Sequence, residues 1–576
     1  MKFSGRIFLS FCSVLWLAAA VNAATFTVTK TADTNDGTCD MADCSLREAV
    51  AAANAAAGDD TIYFALPLFS SPQTITLSGT EIVIAANGSL TINGTGANRL
   101  TISGNNQSRI FASSANAVVN IHNLRLTGGN GVGATNTGRG GAVYNVGGTM
   151  VITNSVLTGN SAANGGAINN AAATGGIDAT LTIINCVLSN NSSTSSGAAL
   201  QNFSTSTLHM RNTTVNNNTT SGTGIAGAFQ ANGTVTITNS TFSGNSAPAG
   251  TGGGVYFNGS SLIMTNTTIA SNSSNTGGGG LHRTGTAATA NVRNTIIAGN
   301  TGAAATPDVS GAITSQGNNI IGMVGTSTGW VMSDLQNVNP LLAPLGFYGG
   351  NGFTHALLSG SPAINAGQNC VVTATCSAAN PPAAVNTDQR GAARPFGETV
   401  DIGAFEVSNT YRAILPSAQV NQPYNQLLTT NAGSFVYSHS GGALPPGVTV
   451  NSGSVSASIS GTPTQIGIYN FSVTVENHAM NMSVINYQLN VLSNVSFVPV
   501  SGRFSLAANF GASGTIVRLT DVNTGAVYQT RTNAFGYFNF TNIPVGGTYQ
   551  ISIVSKTLIF VPPPPITVVD AMYLEF

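Results

Sequence analysis

Two stretches of this sequence decide its fold: TVTITNSTFSGN at positions 234–245 and SLIMTNTTIASN at positions 261–272. They align residue for residue, and the pattern recurs around seven asparagines spaced 31, 31, 27, 27, 27 and 28 residues apart. In each repeat, apolar residues lie two and four positions before the asparagine. A period near 27 with an internal alternation of two is typical of a coil-by-coil β-solenoid. These asparagines form the first asparagine series: Asn123, Asn154, Asn185, Asn212, Asn239, Asn266 and Asn294.

A second asparagine lies six positions after each of the last six. Identical amides stacked one coil apart, about 4.8 Å, can donate and accept hydrogen bonds along a solenoid. We therefore interpret both series as structural ladders, with a ligand-binding surface as the weaker alternative. The second asparagine series comprises Asn160, Asn191, Asn218, Asn245, Asn272 and Asn300.

The composition argues against one class of partner. Charged residues make up 6% of the 576 residues, and the formal net charge is −1. Lysine and arginine do not cluster anywhere along the chain, so the backbone of a nucleic acid would find little to bind. A chain of this length is also expected to contain several domains.

Residues 1–23 have the features of a secretory signal peptide. Lys2 and Arg6 precede an apolar stretch from Ile7 to Val21, and Val21-Asn22-Ala23 forms a small-residue cleavage site. A single membrane anchor is the alternative, but the apolar run is short for one. No later segment is apolar enough to span a bilayer. The sequence thus predicts a secreted or outer-surface protein without a transmembrane segment in the mature chain.

Five cysteines follow the predicted signal peptide. In an oxidising compartment, Cys39–Cys44 and Cys370–Cys376 are plausible local disulfides. A metal site is the alternative, but it needs four nearby soft ligands. Cys186 occupies a position where other repeats carry serine or threonine, and we expect it to be a buried, inert thiol.

Residues 24–62 are predicted to cap the open first coil of the solenoid. Ser45-Leu-Arg-Glu48 is a capping box, which predicts a helix from Leu46 to about Ala57. An uncapped solenoid would expose unpaired backbone groups at its end. The run Cys44-Ser-Leu-Arg-Glu-Ala49, preceded by Thr-Ala-Asp-Thr-Asn-Asp-Gly, resembles the CSLREA domain at the N-terminus of exported bacterial proteins.

Residues 63–337 are predicted to form the parallel β-helix itself. Short glycine motifs such as Gly140-Gly-Ala-Val and Gly165-Gly-Ala-Ile recur between the strands, where glycine permits tight corners. With Phe242-Ser-Gly-Asn245, these motifs resemble the repeats of polymorphic outer membrane proteins. That resemblance implies an adhesin-type, right-handed parallel β-helix, the hand that parallel crossovers generally prefer.

Residues 338–407 break the repeat. They contain Gly360-Ser-Pro-Ala-Ile-Asn-Ala-Gly367 and Asp401-Ile-Gly-Ala-Phe-Glu406, which resemble the tail that ends many exported bacterial β-helices. We predict the last coils and a C-terminal cap here. We expect a local cluster of charged residues to form ion pairs that pin an irregular loop: Asp388, Arg390, Arg394, Glu398, Asp401 and Glu406.

Two smaller β-modules are predicted at the C-terminal end. Residues 411–493 show alternating strands separated by proline and glycine turns, which favour a β-sandwich. Their motifs, such as Leu444-Pro-Pro-Gly-Val, resemble the Ig-like domain common in bacterial surface proteins. Residues 496–576, with Thr532-Asn-Ala-Phe-Gly-Tyr-Phe, resemble a carboxypeptidase regulatory-like β-sandwich. The predicted fold class is therefore all-β: a capped right-handed parallel β-helix followed by two β-sandwich domains.

The sequence offers little for catalysis. Hydrolysis of a sugar bond needs two carboxylates a few ångströms apart, and a lyase of this fold needs acidic calcium ligands and a base. Asn386-Thr-Asp388 matches the start of the polygalacturonase signature, but the companion motifs are missing. We therefore predict no catalytic residue and no cofactor. Between residues 61 and 380 the acids are Glu81, Asp178, Asp308 and Asp334.

No metal site is predicted either. Asp33, Asn35 and Asp36 could bind calcium in a turn of the cap, but a simple Asx turn is favoured.

These observations favour a secreted or cell-surface, non-catalytic binding or adhesion protein. The expected partner is an extracellular glycan, matrix component or other cell-surface ligand, and this inference rests on fold-level analogy. A polysaccharide lyase or glycoside hydrolase with an unrecognised site and a structural stalk of the cell surface are the alternatives. A binding protein is expected to expose aromatic side chains, for example around Tyr144, Phe203, Phe229, Tyr256 and Phe257.

Overall fold

The structure is a computed structural model. It describes residues 23–575 except 67, 135, 223, 286–288, 494–496, 505–512, 523–524, 546, 555–562 and 569–571. The predicted signal peptide therefore lies outside the described residues, apart from its last residue, Ala23. The chain is nearly all β, with 4% helix, and forms a parallel β-solenoid of about nine turns followed by β-sheet domains, so the predicted fold class is confirmed.

The first sheet of the solenoid has eleven parallel strands. Ile152 pairs with Ile183, Ile183 with Met210, and Met210 with Ile237, so apolar residues of successive repeats form one interior column. The strands are Thr25–Val28, Asp60–Phe64, Ser89–Asn93, Val118–His122, Thr149–Thr153, Thr180–Ile184, Thr207–Arg211, Thr234–Thr238, Ser261–Thr265, Thr289–Arg293 and Thr314–Ser315.

Three further sheets complete the turns. The second contains Gln73–Thr76, Leu100–Ser103, Arg125–Thr127, Val156–Thr158, Val187–Ser189, Thr214–Asn216, Thr241–Ser243, Thr268–Ala270, Ile296–Ala298, Ile320–Ile321 and Leu335–Gln336. The third contains Ile82–Ile84, Phe111–Ser113, Val143–Val146, Ile168–Ala171, Leu200–Asn202, Phe229–Ala231, Val255–Phe257, Leu281–Arg283 and Val309–Ser310. The fourth contains Ser161–Asn164, Ser192–Ser196, Thr219–Thr220, Ser246–Thr251 and Ser273–Thr276.

The second asparagine series forms an unbroken ladder of buried amides. Asn218 is typical: its Oδ1 accepts from the backbone N and the Nδ2 of Asn191, at 3.0 and 2.9 Å. Its own N and Nδ2 donate to Oδ1 of Asn245, at 3.0 and 2.9 Å. Each amide thereby satisfies a backbone N–H of the neighbouring turn, which a buried corner requires.

The N-terminal cap contains the predicted helix, which spans Leu46–Ala55. Ser45 Oγ accepts from the Glu48 amide at 3.1 Å and Glu48 Oε2 accepts from the Ser45 amide at 2.6 Å, which completes the capping box. Asn54 Nδ2 donates to Val83 O, and Asn54 Oδ1 accepts from the amide of Ala85, both at 2.8 Å. The helix thus satisfies one backbone group within Ile82–Ile84, the first strand of the third sheet, and one directly after it.

Glu48 makes the cap sensitive to acid. Burial raises the pKa of Glu48, but hydrogen bonds from Ser45, Asp36 and Thr34 outweigh burial and lower the pKa to about 2. Because this value lies below that of an unfolded glutamate, the carboxylate stabilises the cap above about pH 4.5, and the contribution is lost as the pH falls toward about 2.

We expect the hydrogen-exchange protection of Leu46–Ala55 to fall between about pH 4.5 and about pH 2. The variant Glu48→Gln should lose this pH dependence, whereas Glu398→Gln, at an exposed glutamate, should retain it; equal dependence in both variants would contradict the assignment.

Residues 338–407, which we name the flanking segment, run along the side of the solenoid. This placement differs from the predicted last coils and C-terminal cap. Outward threonines of the second sheet bond to it: Thr214 Oγ1 donates to Phe353 O at 2.6 Å and Thr268 Oγ1 accepts from Ala404 N at 3.0 Å. The elements of the flanking segment are the hairpin Leu342–Gly346 and Thr354–Leu357, the helix Cys370–Thr373 and the 3-10 turn Ser377–Ala379. Another 3-10 turn, Leu68–Ser70, lies in the first coil of the solenoid.

The flanking segment also packs against the next domain. Tyr348 Oη lies 3.1 Å from Tyr437 Oη, and Tyr487 Oη donates to Phe347 O at 2.7 Å. That domain has two facing sheets. Its strands are Arg412–Ile414, Ala418–Gln419, Tyr424–Thr429, Val436–Gly442, Val448–Ser452, Ala457–Gly461, Gly467–Glu476 and Met482–Leu492.

The C-terminal module has its own core, which includes Val517, Phe540 and Tyr549. Its strands form a three-stranded and a four-stranded sheet. They are Phe497–Arg503, Ile516–Asp521, Val527–Arg531, Tyr537–Pro544, Thr548–Val554, Ile566–Thr567 and Met572–Glu575. Within the described ranges, no helix is long and apolar enough to cross a bilayer.

A candidate ligand-binding cleft

The first asparagine series occupies the corner between the first and second sheets. All seven residues have positive φ, from 47° to 58°. Asparagine tolerates this left-handed conformation better than other side chains, which explains its recurrence at this corner.

The flanking segment covers the late members of this series. Asn239 Nδ2 donates to Thr387 O, at 2.6 Å, and Asn294 Nδ2 donates to Gln368 O, at 3.2 Å. Asn266 Nδ2 donates to Asp401 O at 3.3 Å. At these rungs the amides therefore hold the flanking segment and are not available to a ligand.

The early members line an open cleft of about 560 Å³, which we name the amide cleft. Here the ladder is incomplete. Asn123 Nδ2 donates back to Asn93 at 3.2 Å, and Asn185 Nδ2 donates to Asn154 Oδ1 at 3.2 Å. No bond joins Asn154 to Asn123, so within the described part of the chain Asn154 Nδ2 and Asn123 Oδ1 have no partner. The cleft thus presents one donor and one acceptor on neighbouring turns.

The opposite wall of the amide cleft comes from the flanking segment and the start of the Ig-like domain. Asn351 Nδ2 donates to Asn154 Oδ1 at 3.0 Å and adds another amide to the site. Ile414, which is 69% exposed, and the half-buried Phe347 supply an apolar wall, and Leu415 beside them is only 2% exposed. The cleft therefore combines amides on one side with apolar surface on the other.

The side chain of Arg125 points outward from the second sheet, in a part of that sheet that the flanking segment leaves uncovered. Arg125 pairs in register with Val156, and Val156 pairs with Val187. The outward-facing residues of this row are buried from Val187 onward. Arg125 Nε donates to Ala97 O at 3.3 Å. Among the described residues no carboxylate forms an ion pair with Arg125, and no other residue lining the cleft carries a charge.

Two of the four predicted solenoid acids end hydrogen-bonded ladders. Asp308 Oδ1 accepts from the backbone N and Nδ2 of Asn300, both at 2.9 Å, as the next asparagine of the second series would. Asp334 Oδ1 accepts from the N and Nδ2 of Asn319 in the same way, at 3.0 and 2.9 Å. Burial raises the pKa of Asp308 and outweighs these bonds, which lower it. Sequence analysis missed this role because neither acid keeps the repeat spacing.

The other two acids are far from a catalytic pair. Glu81 forms a buried ion pair with Arg109 and accepts from the Ala134 amide at 2.8 Å. Asp178 is exposed just before the strand Thr180–Ile184. None of the four lines the amide cleft.

The charged cluster of the flanking segment is a buried network. Arg390 contacts Asp388 at 2.7 Å, and Arg394 contacts Glu406 at 2.7 Å. Asp401 accepts from the amides of Asn365 and Val407. Glu398, which the sequence places in this cluster, is exposed and outside these ion pairs.

The cysteines form the two predicted disulfides, Cys39–Cys44 and Cys370–Cys376. Cys186 is buried, which raises the pKa of its thiol to about 12. No group of three or more metal-ligating side chains occurs among the described residues.

In the turn where the sequence favours an Asx turn over a calcium site, the carboxylates of Asp33 and Asp36 are occupied by bonds within the chain. Both carboxylate oxygens of Asp33 pair with Arg47, at 2.9 and 2.8 Å, and Asp36 Oδ1 accepts from the Thr38 amide at 2.9 Å.

The aromatic residues expected at a binding surface are mostly interior. Tyr144, Phe229 and Phe257 are buried. Phe203 is half-buried beneath the Arg139 guanidinium, 4.7 Å from its ring centre, and Tyr256 stacks on a histidine. These five residues therefore do not form an exposed aromatic surface.

A second cleft, of about 450 Å³, lies beside His355. His355 bridges Ser243 Oγ and Ala343 O, at 2.9 and 2.8 Å, and burial lowers its pKa to about 4. A neutral, fully bonded histidine here fastens the flanking segment to the solenoid.

Comparisons with known proteins agree with this architecture. One family model, described as "Right handed beta helix region", matches residues 170–337, and another, described as "Putative Ig domain", matches residues 406–492. No curated protein matches the chain.

Solved structures give only distant likenesses. The Bacillus anthracis TIE protein is 14% identical, with 29% of this chain and 39% of that chain covered and a TM-score of 0.18. BcpA, the major pilin subunit of Bacillus cereus, is 14% identical, with 28% and 66% covered and a TM-score of 0.15. An endo-fucoidan hydrolase of glycoside hydrolase family 107 is 12% identical, with 29% and 28% covered and a TM-score of 0.14. Such low TM-scores carry no argument about function, and the family models alone identify a right-handed β-helix region followed by an Ig-like domain.

Proposed function

We propose that this protein is an exported, non-catalytic binding protein whose amide cleft holds an extracellular polysaccharide. The observation that carries the proposal is the break in the first asparagine series, where Asn154 Nδ2 and Asn123 Oδ1 have no partner among the described residues and line the cleft. Elsewhere in the series each Nδ2 from Asn185 onward donates to the preceding rung or to the flanking segment. Oδ1 of Asn212, Asn239 and Asn266 also lacks a partner among the described residues, but those atoms are buried and closed to a ligand.

The chemistry of the cleft suits a sugar. Each sugar hydroxyl both donates and accepts hydrogen bonds, and an asparagine amide offers the matching pair. The apolar wall of Phe347 and Ile414 can pack against the C–H face of a sugar ring. A few placed polar groups beside apolar surface are typical of small-ligand sites.

The absence of acids from the cleft lining favours binding over cleavage. Glycosidases use two carboxylates that flank the scissile bond, and the lining residues include none. Asp308 and Asp334, the acids that lie within the solenoid stack, are held by asparagine donors at the ends of ladders. A polysaccharide-cleaving enzyme remains the alternative that the test below must exclude.

The two disulfides support export. Structural disulfides persist in oxidising compartments and are rare in the cytosol. Together with the predicted signal peptide, they favour a secreted or surface-exposed location. A purely structural stalk is the third candidate, and it would have no ligand in the cleft.

Removing one amide from the cleft should weaken polysaccharide binding. Asn154→Gly deletes the side chain while keeping the positive φ that glycine adopts freely. We expect affinity for a polysaccharide ligand, found on a glycan array and measured by titration calorimetry, to fall about three- to tenfold, the equivalent of one hydrogen bond.

The matched control is Asn190→Gly. Asn190 is also exposed and has positive φ, but it does not line the cleft, so its affinity should be unchanged. Incubation with the bound polysaccharide should release no reducing ends and no unsaturated products. Turnover would instead support the enzyme, and a wild-type protein that binds nothing on the array would support the stalk.

A further inference from the structure

We propose that the ligand of the amide cleft is an acidic polysaccharide and that Arg125 binds its anionic group. This inference rests on the proposed function, because it names the class of polysaccharide that the same cleft takes. The groups to be recognised are the paired oxygens of a uronate carboxylate or a sulfate ester, which present the same geometry to a guanidinium.

The first argument is the charge of the cleft. Arg125 is the only charged residue lining it, and no carboxylate among the described residues pairs with it. Among the described arginines, Arg109, Arg390 and Arg394 are buried and each pairs with an acid of the same chain. The buried Arg293 is instead held by Gln368 and Ser377. Arg125 is half-buried, lines the cleft and has no side-chain partner of either kind in the described part of the chain, so its charge is available to an anionic ligand.

The second argument is how Arg125 is held. Its Nε donates to Ala97 O, at 3.3 Å, which fixes the side chain in the turn beside the cleft. Neither terminal nitrogen of the guanidinium has a partner within the described residues. Because both nitrogens lie in one plane, they can bind two oxygens of an anion side by side.

The third argument is the position of Arg125 relative to the amides. Asn123 lies two residues before Arg125, at the corner of the same turn, and Asn154 lies at the corner of the next turn, about 4.8 Å along the solenoid. A polymer lying along the solenoid can therefore place one sugar's hydroxyls on the amides and an acidic substituent on the guanidinium. The apolar wall opposite carries no acid that would repel it.

The experiment compares paired polymers on the full chain. One pair is a polyuronate and its fully methyl-esterified form, and the other is a sulfated galactan and its desulfated form. We expect wild type to bind one of the anionic polymers about tenfold more tightly than its neutral counterpart. The preference should shrink when ionic strength rises from about 0.1 M to about 1 M, because the screening length falls from about 10 Å to about 3 Å.

The variant Arg125→Gln should bind the anionic polymer and its neutral counterpart equally. Arg518→Gln, at an exposed arginine of the C-terminal module, should keep the wild-type preference. A preference for the polyuronate identifies the carboxylate as the recognised group, and a preference for the sulfated galactan identifies the sulfate.

The outcomes separate this inference from the proposed function. If both members of a pair bind equally to wild type and Asn154→Gly weakens both, the cleft binds polysaccharide but the acidic class is wrong. If Arg125→Gln keeps the preference, Arg125 is not the recognising group. If wild type binds none of the four polymers, and no glycan on the array, the proposed function itself fails.

Discussion

Replacing Arg394 with methionine is expected to lower the free energy of unfolding of the flanking segment by about 3–5 kcal/mol. Arg394 is 4% exposed, and its guanidinium contacts Glu406 Oε2 at 2.7 Å and the carbonyls of Asp401 and Gly403 at 2.9 and 2.7 Å. Methionine is of similar length but leaves the Glu406 carboxylate without a cation. An unpaired buried charge costs far more than a surface one.

The loss should depend on pH in a defined direction. Burial raises the pKa of Glu406 and Asp401, and Arg394 opposes that rise. Without Arg394 the carboxylates are held more firmly in the protonated form. The loss of unfolding free energy caused by Arg394→Met should therefore be smallest near about pH 4.5, where an unfolded glutamate also begins to take up its proton. This loss should grow as the pH rises.

Peptide-level hydrogen exchange measures this locally, because the chain has several domains and no single unfolding transition. Peptides covering 386–407 should lose protection. Arg412→Met, at an exposed arginine, should change it by less than about 0.5 kcal/mol. A second substitution, Glu406→Gln, should restore part of the loss in Arg394→Met. Unchanged protection in Arg394→Met would show that the ion pair does not hold the segment.

Asn218→Ala is expected to destabilise the middle of the solenoid by about 3–5 kcal/mol. Asn218 is fully buried, and its Oδ1 accepts from the backbone N and Nδ2 of Asn191. Alanine leaves the backbone N–H of Asn191 and one of its two Nδ2 hydrogens buried without an acceptor, since the other hydrogen still bonds to Leu157 O. Leu188 O loses the Nδ2 donor that lies 3.0 Å away. Each unsatisfied buried group costs about 1–3 kcal/mol.

The effect should be confined to neighbouring turns, since each turn of a solenoid contacts only those beside it. Hydrogen exchange should accelerate in the strands Val187–Ser189 and Thr241–Ser243, which flank the substituted turn, and stay unchanged in Met482–Leu492. The control Thr219→Ala alters the adjacent, exposed residue and should cost less than about 0.5 kcal/mol. Equal effects of the two variants would show that the ladder adds no stability beyond the apolar core.

The repeat spacing alone determined the register of the solenoid. Apolar residues at fixed offsets from the first asparagine series predict one interior column, and Ile152, Ile183 and Ile237 lie in it. The capping helix and the two disulfides could also be predicted from the sequence, because the interaction of Ser45 with Glu48 and the pairing of closely spaced cysteines each span only a few residues. Short-range hydrogen bonds and a regular repeat can be recognised directly from the order of residues.

The tertiary structure decided the candidate site. Seven asparagines look alike in sequence, yet Asn239, Asn266 and Asn294 bind the flanking segment while Asn123 and Asn154 line a cleft. Contacts such as that between Thr214 and Phe353 join residues 139 positions apart, and such pairings follow no period. The flanking segment covers the outward face of the second sheet from Val187 onward. Which segment covers this face, and where that segment ends, depends on packing between distant parts of the chain. That packing leaves the amides of the cleft uncovered.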